Sequence, residues 1–578
     1  MASLVQRLKE RKLFQWALAY LAGAWLVFQG IEVLAEPWNL SQSYIRAIHV
    51  ILGVGLVLAL VLAWYHGEKG RQRVSGPELL MITALLVIAG AVLSLVRVGD
   101  EAPSTSAAFG SLDANSEKPA IAVLPCDNIS PNPEDAYLAD GIHEEILLRL
   151  SKIQSLTSIG RRSVEWYRDN PSPIRDMAME LGVGFVGECS VRKDSDQDQI
   201  RLTFQLLDAR TGEQVWAENY DRDLTAGNLL DIESDVAQQV ARSLRAVLTP
   251  EERARIEAVP TESLEAYDNY LRGRHSWNQR SLVAFDSAID YYNRAVLFDP
   301  NYARAYAALA ETYALLPEYG GPSIPEVLPL AKAATDRALT LDPDLAEAYT
   351  ASAYIKDYFE WDREGAERDY LKAIELNPDY ATAHQWYGEL LIVTRRWDEA
   401  LTQARRAVEL DPLSFAANLI LGAAFTCSGR PHDALPAAQR ASEIVPDQEL
   451  GIKWLAFAYV LSGDHAAAAP LFDRFAELTA TDPEAYRAYL AALNDPAEMP
   501  AAARALQAPS LFVPGLNVGG AAFLAHLGQF DEALALLEQA YEQRAPRLPW
   551  VNGYPFYEEM RSDSRFKDLL RRMKFASE

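Results

Sequence analysis

A proline-bounded period fills the C-terminal half of this 578-residue chain. Prolines stand at 300, 343, 378, 412 and 446, at spacings of 43, 35, 34 and 34, four of them after Asp or Asn. Ala366, Ala400, Ala434 and Ala468 follow one another at 34 residues. Few folds admit such a period. A unit of this length is a helix–turn–helix that cannot bury its apolar face alone, so units stack and share one continuous core. In Ala381–Ser414, Gly388 lets the second helix approach the first, Ala400 and Ala407 are small for the same reason, and Pro412 ends the unit because it cannot continue a helix. Phe415–Gln448 repeats the pattern with Gly422, Ala434, Ala441 and Pro446. About seven or eight units are expected over residues 260–578. The long spacing places a loop at Pro317–Pro325 between the helices of one unit. Pro483–Gln507 reads as a local bend, and Arg561–Met573 as an amphipathic cap.

The unit resembles the tetratricopeptide repeat. That resemblance implies a concave face, lined by the first helix of each unit at about positions 2, 5, 9, 12 and 13. Read onto four units, the candidate partner-binding residues are Tyr358, Phe359, Gln385, Glu389, Lys453 and Phe457. Several of these positions, especially 12 and 13, read equally as packing between helices. The twenty positions hold one Lys and one Glu. The groove is therefore expected to take an extended or helical segment by apolar and aromatic anchors rather than by ion pairs.

Three apolar runs, 13–34, 48–65 and 79–96, have about the length needed to cross a bilayer. Arg7, Lys9, Arg11 and Lys12 precede the first, and Lys69, Arg71 and Arg73 separate the last two, whereas Ala35–Tyr44 has no Lys or Arg. This bias predicts a multi-pass membrane anchor over 1–98, with everything after Val96 on the far side. A flexible linker is expected over 99–118.

Residues 119–250 read as a small α/β domain. Strands are expected at 120–124, 155–159, 184–191, 199–207 and 214–220, and helices at 140–150, 174–181 and 231–248. The runs Ile121–Pro125, Ala139–Glu145, Gly182–Gly184 and Leu207–Glu213 with Trp216 resemble the amino-terminal domain of TolB and the related FlgO-like domain. The resemblance implies an interaction module rather than an enzyme. Cys126 and Cys189 replace that family's usual aromatic and glycine, and both a disulfide and two free buried thiols remain open. The whole arrangement resembles the non-catalytic part of bacterial membrane proteins that carry a cyclase or a winged-helix domain. The fold class expected is thus three transmembrane helices, a mixed-sheet α/β domain and an all-α repeat solenoid, in the inner membrane with the soluble part in the periplasm.

Chemistry is not written into the motifs. His143-Glu144-Glu145 has Leu147 where a zincin places its second His. No phosphate-binding loop, kinase loop or nucleophile elbow is present, so no enzyme, no metal and no cofactor is expected. The net charge is −26, and residues 99–578 alone carry −30. That charge repels phosphate backbones and argues against nucleic acid. The reading is a membrane-anchored periplasmic scaffold for proteins or peptides, of open oligomeric state. The alternative is an accessory or sensory subunit of a separately encoded signalling enzyme or transcription regulator.

Overall fold

A computed structural model describes residues 118–194, 198–507 and 517–575. All lie in one unit, Phe109–Glu578. The expected fold class is corrected. Among the described residues no helix is long and apolar enough to cross a membrane. The three spans expected over 13–34, 48–65 and 79–96, and nearly all of the linker, lie outside the described residues. The membrane anchor, the integral-membrane partner and the inner-membrane location with its periplasmic side are accordingly set aside. What the structure shows is a mixed-sheet domain followed by an all-helical repeat solenoid.

The sheet runs in the order β3-β1-β4-β5-β6. Strand β1 (Ala120–Val123) lies between parallel neighbours β3 (Thr157–Ser158) and β4 (Phe185–Asp194), and Ile121, Ala122 and Val123 are fully buried. That is why β1 is an unbroken apolar run. Strands β5 (Gln199–Asp208) and β6 (Gln214–Asp223) add antiparallel. In β5 the residues Ile200, Leu202, Phe204 and Leu206 point inward and Arg201 is exposed, the alternation of a sheet with one wet face. Short β2 (Asp127–Asn128) pairs with the outer half of β4. Helix α1 (Ala136–Ser151) packs against α4 (Ala226–Ser243). The structure joins Cys126 and Cys189 in a disulfide, closing the alternative of free thiols there. Cys427 remains free and buried.

Two elements depart from the sequence reading. The strand expected over 155–159 shrinks to two residues, because the chain turns through Ile153–Leu156 with Leu156 N–H bonded to Ile153 C=O. Helix α2 (Arg161–Asp169) was not expected. Only Ser163, Val164 and Tyr167 of its nine residues are buried, too sparse a stripe to read.

A capped helix, α5 (Pro250–Glu257), leads into the repeats. Eight helix pairs follow among the described residues, α6/α7 through α20/α21. They begin with α6 (Leu264–Asn278) and α7 (Leu282–Phe298), and end with α20 (Asn517–His526) and α21 (Phe530–Glu542). Between them the first helices are α8 (Ala303–Leu315), α10 (Ala346–Tyr354), α12 (Ala381–Val393), α14 (Phe415–Cys427), α16 (Glu449–Leu461) and α18 (Pro483–Asn494). Ala366, Ala400, Ala434 and Ala468 are all fully buried, as the 34-residue alignment requires. At Gly273 a Cβ would stand 2.3 Å from the Tyr292 ring, so the first pair closes only over glycine. The loop expected between helices of one unit is present, from Leu316 to the start of α9 (Ile324–Leu341). The expected bend over 483–507 is a short pair, α18 with α19 (Met499–Leu506). Final helix α22 (Ser564–Arg572) also returns to the third unit, where Arg363 bonds the Met573 carbonyl.

Candidate functional site

The concave face is built from the first helices, and the chain itself covers much of it. In the third unit α10 continues as a π-helical turn, Ile355–Glu360, which carries Tyr358 and Phe359. Such turns are rare and frequent at functional sites. Tyr354 stacks on Tyr358 at 4.5 Å between centroids and meets Phe359 edge-on. The Tyr358 hydroxyl donates to Glu389 at 2.8 Å, and the Gln385 amide donates to the other Glu389 oxygen at 3.1 Å. Three candidate residues thus form one cluster. Phe457 and Lys453 lie further along, on α16.

Residues 547–557 return after the last helix pair and lie on this face. Trp550 donates its indole N–H to the Tyr358 hydroxyl at 3.0 Å and packs against Trp454 at 5.5 Å. Asn552 donates to the Val393 carbonyl, and Arg547 pairs with Glu318 at 2.9 Å. Phe556 meets Phe457 edge-on at 4.7 Å. Tyr358, Phe359, Glu389, Lys453 and Phe457 are therefore buried, and Gln385 is partly open. The six are not a single free surface. Burial, with Glu318 close by, raises the Glu389 carboxyl to about 7 despite Arg547. Burial beside Arg547 lowers Lys453 to about 7.

The rest of the concave face opens on a cavity of about 520 Å³, walled on its other side by the α/β domain. The domain is fastened there at a proline-bounded turn of the repeats. Gly160 N–H bonds the Leu410 carbonyl, and Asp411 accepts from both the amide (2.8 Å) and the hydroxyl of Ser163. Asp411 thereby caps the first turn of α2 from a residue far away in sequence. A Cβ at Gly160 would stand 2.7 Å from the Asp411 carboxylate carbon. Burial raises the Asp411 carboxyl, and the Ser163 hydrogen bonds oppose it. Ion pairs complete the joint: Arg304 with Glu145, and Arg274 with both Glu144 and Glu311. Burial would raise Glu144, but Arg274 and Arg161 outweigh it and hold it at about 2.

Among the described residues no cluster of His, Cys, Asp and Glu could hold a metal ion. His143 is fully buried, 2.9 Å from the Val123 carbonyl, and burial with Arg161 lowers it to about 4. It is part of the core of the α/β domain.

Sequence reasoning missed the occupant of the groove and the basic wall of the cavity. The occupant has a legible signal, the aromatic run Trp550, Tyr554, Phe556 and Tyr557 beyond the last helix pair. The wall has none, because Arg161 and Arg162 come from the α/β domain and reach the repeats only through folding.

No protein-family model matches the chain. A Rhizobium meliloti (strain 1021) protein that carries the provisional name adenylate cyclase 3 is 38% identical over 193 residues, 33% of this chain and 32% of that protein. The chain thus spans about a third of the length of this curated relative. Among solved structures, PilF of Pseudomonas aeruginosa is 18% identical over 45% of this chain and 97% of its own, with a TM-score of 0.28. A tetratricopeptide-repeat protein of Thermus thermophilus is 19% identical over 33% and 98%, with a TM-score of 0.28.

Proposed function

We propose that this chain is a non-enzymatic scaffold that binds a segment of a partner protein on the concave face of its repeats, beside a TolB-like interaction module. The observation that supports it most is the placement of residues 547–557. An aromatic segment of two short 3-10 turns lies across first helices of several units, held by ring contacts and a few hydrogen bonds. This is how a helical groove receives a peptide. The chain's own segment takes the Tyr358–Phe457 part, which leaves the part around Thr382, Gln385 and Leu419 for a partner.

Peptide display against the purified chain tests this reading. Selected peptides should lose about tenfold or more in affinity when Thr382→Arg fills the open part. Peptides that ignore Thr382→Arg and Gln385→Ala, yet are lost on substitution of the exposed face of β6, would move the interface to the α/β domain. A second reading, an accessory or sensory subunit, is favoured by the stretch shared with the cyclase-named relative. The two part on whether the chain alters the turnover of an enzyme it binds.

A further inference from the structure

The cavity has a second end, distinct from the Gln385–Glu389 part. The charged neighbours of Glu389 are Arg547 and Glu318, whereas those of Arg280 are Arg162, Arg274 and Glu311. Arg280 follows the end of α6, and its guanidinium lies 3.5 Å over the Trp277 ring. Arg274 lies 4.3 Å from the same ring, so one indole is contacted by two cations.

The carboxylates nearby are already committed. Glu144 and Glu311 are bound to Arg274, and Glu144 also to Arg161. Asp411 is bound to Ser163. Among the described residues neither Arg162 nor Arg280 forms an ion pair or a side-chain hydrogen bond, although both line the cavity. The Trp277 indole N–H, on the same lining and in a side chain 4% exposed, also has no acceptor. So has Arg161 Nε. Among the described residues, the one orphaned carboxylate oxygen on the lining belongs to Glu347, whose charge acts on Lys152 and Tyr380. Burial, with Arg162 and Arg274 close by, depresses Arg280 to about 9, and Glu311, already paired with Arg274, offsets this only in part.

We infer that this end of the cavity binds a small organic oxyanion, a carboxylate or phosphate monoester with an apolar body, held between Arg162 and Arg280 and the Trp277 indole N–H. Guanidinium pairs bind such groups by short, charge-assisted hydrogen bonds. The cavity of which this end is a part lies within the range of about 300–1,000 Å³ typical of small-molecule sites. Arg162 belongs to the α/β domain and Arg280 to the first repeat pair, so a bound anion ties the two together and stabilises their joint by linkage. The site is independent of which segment the open groove receives.

Isothermal titration calorimetry of the full chain with inorganic phosphate, phenyl phosphate and benzoate, at fixed ionic strength in chloride, tests this. At least one probe should bind saturably in the millimolar range or tighter, with phenyl phosphate tighter than phosphate. Phosphate and benzoate separate the two oxyanion chemistries. Arg162→Gln and Arg280→Gln should each weaken binding about tenfold or more. Arg487→Gln, which removes an exposed guanidinium paired with Asp473 and Glu484 elsewhere, should not. Without anion, Arg280→Gln should melt at or above the parent temperature, since it removes an uncompensated charge. The inference is overturned if no probe binds saturably, if binding survives both substitutions, or if anion-free Arg280→Gln melts well below the parent, which would make Arg280 a structural residue.

Discussion

Replacing Trp550 by Ala should release residues 548–557 from the groove while the helix pairs stay folded. The side chain is 1% exposed and touches Trp454 and Tyr554 at 5.5 and 5.7 Å between centroids. A buried Trp removes about 150–250 Å² from water, worth up to about 4–6 kcal/mol at about 25 cal/mol per Å². The unfolded chain already hides part of that area, and core Trp→Ala changes cost about 3–5 kcal/mol, so about 4 kcal/mol is expected. The loss should appear as local opening, because the helix pairs make their own contacts. Hydrogen exchange read by mass spectrometry should show residues 548–557 losing protection by that amount, with α12 and α14 nearly unchanged. Tyr358→Phe removes only a hydroxyl. It strands the Trp550 indole N–H and takes a donor from buried Glu389, for about 1–3 kcal/mol. The two changes share one hydrogen bond, so the double variant should lose about 1 kcal/mol less than their sum. Unchanged protection at 548–557 in Trp550→Ala, or strict additivity, would refute the groove contact.

Further outcomes follow from named contacts. Ala434→Lys puts a charge into a fully buried position between paired helices and should cost several kcal/mol in denaturant titration, on the order of 3–5. Cys126→Ala with Cys189→Ala opens a loop with a sequence separation of 63, and should lower stability by about 4 kcal/mol, matched by reductant acting on the parent chain. Lys453 is held at about 7 when folded against 10.5 otherwise. The folded state therefore gives up a proton that the unfolded state keeps between those values, and stability should rise with pH across that window. Lys453→Met should then stabilise below about pH 7, by on the order of 4 kcal/mol, with the gain fading toward pH 10 in melts recorded across the range. Asp411→Ala removes the cap of α2 and leaves the Ser163 amide and hydroxyl without an acceptor, for about 2–4 kcal/mol and faster exchange in α2. Asp342→Ala, at the matching turn where among the described residues the carboxylate bonds the Asp344 amide alone, should cost about 1 kcal/mol or less.

The helix pairs were legible because their cause is local and repeated. Ala366 through Ala468 mark the tight crossings, and the prolines at 300, 343, 378, 412 and 446 mark the stops. Strand β5 was legible from its alternation, and α3 (Ile174–Leu181) from its apolar spacing. Helix α2 was not, because its cap is Asp411, which no local pattern can announce. The disulfide could be framed but not decided, since the link between β1 and β2 lies beside β4 and brings the two cysteines together whether or not they are oxidised. The candidate groove residues were legible as positions on first helices. What covers them was not, since a covering segment is specified by long-range ring contacts such as Phe457 with Phe556 rather than by any period. The anchor expected from the apolar runs falls outside the described residues, and the fold rests on the sheet domain and the repeats alone.

The concave face thus divides by chemistry as well as by cover. The expectation of an apolar groove came from twenty positions in four units, and part of that surface is covered by the chain's own Trp550 and Phe556. Its contacts are rings, an indole and an amide hydrogen bond and a rim ion pair, and little of that is screened by salt. The other part lies outside that inventory. Arg161 and Arg162 belong to the α/β domain and Arg274 and Arg280 to the first repeat pair, so no reading of the four units could include them. The acidity of the chain hides this further, because a net charge of −26 says nothing about a wall from which the carboxylates have been drawn into pairs. A ligand at the arginine end is expected to weaken with ionic strength, whereas a segment on the aromatic end is not. Arg162 lies in the first turn of α2, which Asp411 caps from the repeats, so the charged end is assembled by the docking of the two domains. Whatever neutralises that end therefore also favours the arrangement in which the open groove is formed.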